Sequence, residues 1–110
     1  MELKPNKKEI DAAMYLKSLF KFPTIITYYI YDYSRRSCSI IIEADNEPDP
    51  PINSSTSHYL KGPNSIKLHE FANKLPKESN QWYCYRRGFA IPYERILQLK
   101  SRLKKWIHIY

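Results

Sequence analysis

The sequence is poor in glycine and cysteine and contains no long apolar run. Only two of its 110 residues are glycine, so we expect most of the backbone in helices, strands or loops marked by the eight prolines. Its two cysteines form no CxxC motif, which excludes the common zinc and redox motifs and a disulfide-dense secreted scaffold. No apolar stretch approaches the roughly 18 residues of a membrane span, and the first ten residues lack the apolar stretch of a signal peptide. We therefore expect a soluble intracellular protein of the cytoplasm or nucleus, with two free thiols and no membrane partner.

The composition is that of a folded chain. Hydrophobic residues make up 43% and charged residues 26%, which excludes the low-hydrophobicity class of disordered proteins. A length of 110 residues suits a single hydrophobic core, so we predict one domain over residues 1–110. Ten tyrosines, four phenylalanines and two tryptophans are a heavy aromatic content for this length.

Positive charge is concentrated in the second half of the chain. Residues 1–42 hold seven basic and four acidic side chains (+3), and residues 43–60 hold four acidic ones (−4). Residues 61–110 hold eleven basic and three acidic side chains (+8), and the three parts sum to the net charge of +7. A basic region of this kind attracts polyanions, of which nucleic acid is the commonest.

Hydrophobic periodicity predicts an α+β domain with an antiparallel sheet of about four strands and three helices. Asn6 and Glu9 have the spacing of a capping box at the start of the first helix. The predicted buried face of this helix comprises Ile10, Ala13, Met14 and Leu16 with Leu19 or Phe20. The predicted order is helix, two strands, loop, helix, two strands, helix. The predicted segments are 5–22, 24–33, 38–44, 65–76, 81–87, 89–91 and 92–106, with Arg35 and Arg36 at the tip of the first hairpin. The predicted buried faces are Leu68, Phe71, Ala72 and Leu75 in the second helix and Ile96, Leu99, Leu103 and Trp106 or Ile107 in the third.

An acidic segment at about residues 45–58 separates the two halves. It is rich in proline, serine and asparagine and shows no hydrophobic periodicity. We interpret it as a long exposed loop, whose negative charge keeps a basic surface from binding unsuitable partners.

Tyrosines and arginines alternate in the segment before the last helix. Tyr83, Tyr85 and Arg87 recur at two-residue spacing, so we expect their side chains on one strand face. Single-stranded nucleic acid is bound by rings that stack on bases and by cations that contact phosphates. We therefore predict a small, non-catalytic protein that binds nucleic acid, single-stranded DNA or RNA rather than duplex. The predicted site comprises Tyr83, Tyr85, Arg86 and Arg87, with electrostatic support from Arg35, Arg36, Lys100 and Lys104.

The same residue types also fit a protein-binding surface. Tyrosine, tryptophan and arginine dominate protein-binding hot spots, so a regulator or inhibitor of a partner protein is the alternative function. A small viral or mobile-element factor that binds a host protein would have this composition. The apolar ending WIHIY at residues 106–110 also suits a homodimer.

One stretch resembles a known family. The run YRRGFAIPYERILQLKSRL, residues 85–103, resembles the end of the positive-cofactor class of single-strand-binding transcription coactivators. That resemblance implies a basic strand that leads into a helix and binds single strands. It covers less than a fifth of the chain, and Pro92 and the acidic segment depart from the family pattern, so we assign no family.

The sequence contains few of the patterns that indicate an enzyme active site or a metal site. The three histidines are scattered, and we expect each to lie at the surface or to cap a backbone group. The sequence contains no HExxH motif and no glycine-rich phosphate loop, so we predict no catalytic residue, no cofactor and no metal.

Overall fold

The described part of the protein combines three helices with a four-stranded antiparallel sheet, which confirms the predicted α+β class. This computed structural model describes residues 3–51, 60–75 and 82–103, with side chains through residue 100. The described elements are α1 (Lys7–Ser18), β1 (Thr24–Asp32), β2 (Arg36–Ala44), α2 (Pro63–Lys74), β3 (Tyr83–Tyr85), β4 (Gly88–Pro92) and α3 (Tyr93–Leu103).

The central strand β2 organises the sheet, whose order is β1-β2-β4-β3. Nine consecutive residues of β1 pair with β2, and five residues of β4 pair with its other edge. Asp45 N donates to Pro23 O at 3.1 Å, and Ala44 N donates to Arg87 O at 3.2 Å. Because hydrogen-bonded pairs alternate along antiparallel strands, odd-numbered residues of β2 bond to β1 and even-numbered residues bond to β4.

All three helices pack on the same face of the sheet. Even-numbered residues of β2, which include Ile40 and Ile42, point into the core, as do Phe89 and Ile91 of β4. The helices contribute small and large apolar side chains in a single cluster. From α1, α2 and α3 these are Ala12, Ala13, Leu16, Leu68, Phe71, Ala72, Ile96 and Leu99. The sheet therefore has one face covered by helices and one face that no described helix covers.

Helix α1 begins with the predicted capping box and buries the predicted Ala13, Leu16, Leu19 and Phe20, but its predicted face is wrong at two positions. The Asn6 side chain accepts from Glu9 N, and the Glu9 carboxylate accepts from Asn6 N, both at 2.9 Å. Ile10 and Met14, predicted as buried, are 40% and 56% exposed, whereas Glu9 is buried. The reason is Arg36, which donates to both Glu9 carboxylate oxygens at 2.8 and 3.0 Å and holds that side of the helix against the sheet.

The other two helices match their predicted faces where the side chains are described. Leu68, Phe71, Ala72 and Leu75 of the second helix region are all buried. In α3 the predicted Ile96 and Leu99 are buried as well, since both lie in the core cluster. The remainder of the predicted α3 stripe lies outside the described side chains.

The turn between β3 and β4 is displaced from its predicted position. We predicted a strand through Arg87 with a turn or bulge at Gly88, but β3 ends at Tyr85 and Gly88 begins β4. Arg86 and Arg87 form the turn, and Arg86 adopts φ 45°, in the left-handed region. Gly88 is required as a strand residue because a Cβ there would run into the carbonyl oxygen of Ile42 on the neighbouring strand. Pro92, predicted as the first helical residue, is the last residue of β4.

The first hairpin also differs slightly from the prediction. Strand β2 begins at Arg36 rather than residue 38, so Arg36 belongs to the strand. Its even-numbered position directs the side chain to the helical face, where it meets Glu9. Only Arg35 of the two predicted arginines therefore remains in the hairpin tip.

The buried Glu9 predicts a pH-dependent loss of stability. Hydrogen bonds from Arg36 hold the pKa of Glu9 below its usual range, against the opposing effect of burial. A depressed folded-state pKa stabilises the fold above the unfolded value of about 4.3 and ceases to do so as pH falls through the folded value. We expect Glu9→Gln to lower the free energy of unfolding by about 2 kcal/mol at neutral pH, because a hydrogen-bonded charged group loses its partner.

Urea denaturation at a series of pH values measures this effect. The difference between wild type and Glu9→Gln should shrink as pH falls below the unfolded pKa of about 4.3 and should be lost once pH passes the lowered pKa of the folded carboxylate. Asp11→Asn is the matched control on the exposed side of the same helix. A pH-independent difference would contradict the assigned role of the charge.

Candidate nucleic-acid interface

The face of the sheet opposite the helices, here called the open face, carries exposed tyrosines on both outer strands. On β1 these are Tyr29 and Tyr31, which are 57% and 40% exposed. On β3 they are Tyr83, which is 56% exposed, and the half-buried Tyr85. Because side chains alternate along a strand and the register is fixed, all four belong to the face away from the core.

Smaller side chains lie between the two tyrosine pairs. Across β2 and β4 this face of the sheet carries Ser39, Ile41, Gly88, Ala90 and Pro92, of which Ile41, Gly88 and Ala90 are buried. The register aligns Tyr29 with Ser39 and Pro92, and aligns Tyr83 with Ala90 and Ile41. Three strand spacings separate β1 from β3, or about 14 Å. We call this arrangement, with tyrosines on both sides and a floor of smaller residues, the tyrosine groove.

The tyrosines of the first hairpin contact one another. The ring centroids of Tyr29 and Tyr31 are 5.6 Å apart in an edge-on arrangement, and those of Tyr31 and Tyr33 are also 5.6 Å apart. Neighbouring rings restrict each other's rotamers, which lowers the entropy cost of ordering them on a ligand. The side of the groove on β1 is therefore partly ordered before any ligand binds.

The arginines of the second hairpin are held by acidic side chains. Arg86 Nε lies 3.1 Å from Glu43 Oε2, and Arg87 Nε lies 2.9 Å from Asp49 Oδ1. Asp49 also approaches Arg86 Nη2 at 3.4 Å, so its carboxylate spans both guanidinium groups. Glu43 is buried, whereas the Asp49 side chain is 61% exposed. The Glu43 carboxylate is thus enclosed by the protein, and the Asp49 carboxylate faces solvent.

Arg87 is also anchored to backbone oxygens. Its Nη1 donates to Ala44 O at 2.9 Å and lies 3.4 Å from Glu47 O, and only 13% of the side chain is exposed. Arg86 is the more accessible member, with 49% of its side chain exposed and its guanidinium carbon 5.8 Å from the ring centroid of Tyr85. Arg87 therefore stabilises the hairpin, while Arg86 is placed for external contact.

A buried histidine supports the same turn. His69 Nε2 lies 3.0 Å from Arg86 O, and because a carbonyl only accepts, the imidazole donates from Nε2. Burial lowers the pKa of His69, so this imidazole is neutral at neutral pH. Sequence reasoning expected each histidine at the surface or bonded to a backbone group, and His69 is buried with its bond to a carbonyl 17 residues away, a contact that no local pattern predicts.

The described start of the acidic segment is tied to helix α2. Glu47 accepts from Asn64 N at 3.0 Å and from Ser65 N and Oγ at 2.8 Å, which caps an N-terminus whose own N-cap residue is Gly62. A Cβ at residue 62 would collide with the Glu47 side chain, so glycine is required there. Glu43, Glu47 and Asp49 therefore have structural partners, and residues 52–59 lie outside the described part of the chain.

Of the remaining predicted site residues, Arg36 and Lys100 lie away from the groove, and Arg35 lies at its end in the β1–β2 hairpin tip. Arg36 is bound to Glu9 on the helical face, and Lys100 lies on α3 with its Nζ 5.3 Å from the Tyr15 ring centroid. Arg35 is exposed and has no ion-pair partner in the described part of the chain. It sits at the opposite end of β2 from Arg86, about 27 Å away for eight strand residues. Lys104 lies outside the described residues.

Sequence reasoning did not include Tyr29 and Tyr31 in the site. The alternating pattern of residues 25–33 already placed Ile25, Tyr29, Tyr31 and Tyr33 on one face. What the sequence lacked was the sheet order, which brings β1 into the same sheet as β3 with two strands between them. The signal was therefore a second alternating aromatic strand, and its relevance depended on the topology.

The described residues hold no reactive thiol arrangement. Burial raises the pKa of Cys38 to about 12 and also raises that of Cys84, so both thiols are protonated at neutral pH. Both cysteines are free. Their strands are two spacings apart and their positions are displaced by about four residues, or about 16 Å in all, which is too far for a disulfide.

Comparison with known proteins assigns no relative. No family model matches the chain, and no curated protein or solved structure matches it either. Among the described residues, no group of three or more histidine, cysteine, aspartate or glutamate side chains could hold a metal ion. None of the helices in that same part of the chain has the length and apolar character needed to cross a membrane.

The contact between Glu47 and helix α2 predicts a stability defect on truncation. We expect Glu47→Ala to lower the free energy of unfolding by about 1 to 2 kcal/mol, because the first turn of α2 loses its capping carboxylate. Chemical denaturation followed by circular dichroism measures the change. Glu70→Ala is the control on an exposed position of the same helix. Equal stability of the two variants would contradict the capping role.

Proposed function

We propose that the protein binds single-stranded nucleic acid in the tyrosine groove, without catalysis and inside the cell. The observation that carries this proposal is the pair of exposed tyrosine rows on β1 and β3, separated by a floor of smaller side chains. Bases have flat faces that stack on aromatic rings, and each stacked base contributes roughly 1 to 3 kcal/mol. An unpaired strand exposes those faces, whereas a duplex does not.

The distribution of charge supports a strand that runs along the groove. The chain carries a net charge of +7, which raises the local concentration of any polyanion. Arg35 at one end of the groove and Arg86 at the other are placed to contact phosphates, and the tyrosines between them contact bases. This division of labour between ring stacking and phosphate contact binds strands with little dependence on sequence.

The ion pair between Asp49 and Arg86 competes with contact between Arg86 and a phosphate of the bound strand. Glu43 stays in place because it is buried, but the exposed Asp49 carboxylate occupies the side of both guanidinium groups that a phosphate would approach. A phosphate oxygen offers the same acceptor chemistry as a carboxylate oxygen. Displacement of Asp49 by phosphate therefore replaces one anionic partner of the arginines by another and frees the Asp49 carboxylate to move into water.

A second candidate function is binding of another protein on the same face. Ile25, Tyr29, Tyr31 and Tyr83 are each 39% exposed or more, which gives the open face large apolar side chains in addition to rings. Such residues form the centres of protein interfaces. The two functions differ in salt response, because phosphate contacts release counterions and an apolar interface does not.

Ring removal provides the direct test of stacking. Tyr29→Ala and Tyr83→Ala should each weaken binding of a fluorescein-labelled oligothymidylate by about 5- to 150-fold, the equivalent of 1 to 3 kcal/mol per lost stack. Tyr29→Phe and Tyr83→Phe retain the ring and should bind as the wild type does. Fluorescence anisotropy with the single strand and a duplex of equal length measures both affinities at two salt concentrations. Binding that survives ring removal, or that prefers duplex, would contradict the proposal.

Neutralisation of Asp49 tests the contact at the arginine turn. We expect Asp49→Asn to bind the single strand about two- to five-fold more tightly, since an exposed ion pair is worth up to about 1 kcal/mol. Glu70→Gln removes the same charge from an exposed position of α2 and should have a smaller effect. Equal gains in affinity for the two variants would show a general charge effect. No gain for Asp49→Asn would show that Arg86 does not contact the bound strand.

A further inference from the structure

Strand β1 is an edge strand with outward-pointing backbone groups. The alternation of hydrogen bonds fixes which residues these are: odd-numbered residues of β1 bond to β2, and even-numbered residues direct their N–H and C=O away from the sheet. A direct observation agrees with this parity, because the outward Thr24 O accepts from Lys17 Nζ at 2.6 Å. One end of the edge is therefore satisfied within the chain.

The middle of this edge has no partner in the described part of the protein. No hydrogen bond from a described residue reaches the outward backbone groups of Ile26, Tyr28 or Ile30. These residues provide three donors and three acceptors at two-residue spacing. That pattern matches the hydrogen-bonding requirement of one further antiparallel strand.

Strand β1 also lacks the features that protect exposed edges. Proteins usually block such edges with lysine, proline, a bulge or a short strand. The sequence TIITYYIYD contains neither lysine nor proline, and its nine residues pair with β2 without a bulge. The opposite edge of the sheet, β3, is only three residues long. The long unprotected edge is therefore specific to β1.

We propose that β1 pairs with β1 of a second copy of this chain in an antiparallel dimer. A two-fold axis at Tyr28 places Tyr28 opposite Tyr28 of the partner subunit and places Ile26 opposite Ile30 of the partner subunit. Each outward backbone N–H of Ile26, Tyr28 and Ile30 then donates to an outward backbone C=O of the same three positions in the second copy. The edge is thus complementary to itself, which is the condition for a closed two-fold interface.

Side chains on the open face are also compatible with this pairing. The same axis sets Tyr31 opposite Ile25 and Tyr29 opposite Thr27, so each tyrosine meets a β-branched residue, a favourable cross-strand pair. The only charged side chain of β1, Asp32, lies opposite Thr24 rather than a second carboxylate. This self-complementarity favours a second copy over an unrelated peptide strand. The dimer has an eight-stranded sheet, and it does not depend on whether nucleic acid binds.

Charge predicts the direction of the salt response. Each chain carries a net charge of +7, so two copies repel one another, and salt should screen that repulsion and strengthen the dimer. Nucleic-acid binding should weaken with salt, because it releases counterions. The two processes therefore respond to salt in opposite directions and can be told apart in the same protein.

Sedimentation equilibrium and amide hydrogen exchange of the full chain test the dimer. The mass should rise from one chain to two as concentration increases, and more completely at high salt. In the same range, amides of Ile26, Tyr28 and Ile30 should gain protection by exchange measured with NMR. The amides of Ile25, Thr27 and Tyr29 should be protected at all concentrations, because they bond to β2.

A lysine placed on strand β1 should prevent the proposed strand pairing, and a lysine placed elsewhere serves as its control. Thr27→Lys adds a lysine at an exposed position of the edge and should keep the protein monomeric, with unchanged circular dichroism. Asn73→Lys adds the same charge on an exposed position of α2 and should dimerise as the wild type does. A wild type that stays monomeric at every concentration and salt, or a dimer without protection at the three even-numbered amides, would overturn the proposal.

Discussion

The structure depends on the double pairing of β2. Its odd-numbered residues hydrogen-bond to β1 and its even-numbered residues to β4, so this strand alone joins the two hairpins into one sheet. Its even-numbered side chains, including Ile40 and Ile42, anchor all three helices on one face. That choice of face leaves the tyrosines of β1 and β3 on the opposite side. The open face is therefore a consequence of how the core is built.

Net charge alone gives an incomplete description of the electrostatics of the groove. The chain carries +7, yet Arg86 and Arg87 lie against Glu43 and Asp49, and Arg36 lies against Glu9. Internal carboxylates thus neutralise several of the cations that sequence reasoning assigned to phosphate. Long-range attraction of a polyanion depends on the net charge of the chain. Direct contact with a phosphate depends on which arginine can exchange its carboxylate partner for that phosphate.

Local patterns in the sequence were sufficient for the elements but not for the site. Aromatic and β-branched alternation indicated the strands, and the spacing of Asn6 and Glu9 indicated the capping box, because these signals act within a few residues. The predicted buried face of α1 was right at Ala13 and Leu16 but wrong at Ile10 and Met14, where the contact of Glu9 with the distant Arg36 turns the helix. The groove required knowledge that β1 and β3 flank the same sheet, which no local pattern contains. The prediction of the site was limited by contacts between residues distant in sequence, whereas the secondary structure was predicted from local patterns.

The left-handed backbone at Arg86 has a consequence for the stability of the turn. A φ of 45° suits glycine or asparagine, whereas most other residues cost roughly 1 to 2 kcal/mol there. An arginine at this position therefore lowers stability relative to residues that fit the turn better. Fold stability and an exposed guanidinium thus make opposite demands on the same backbone position.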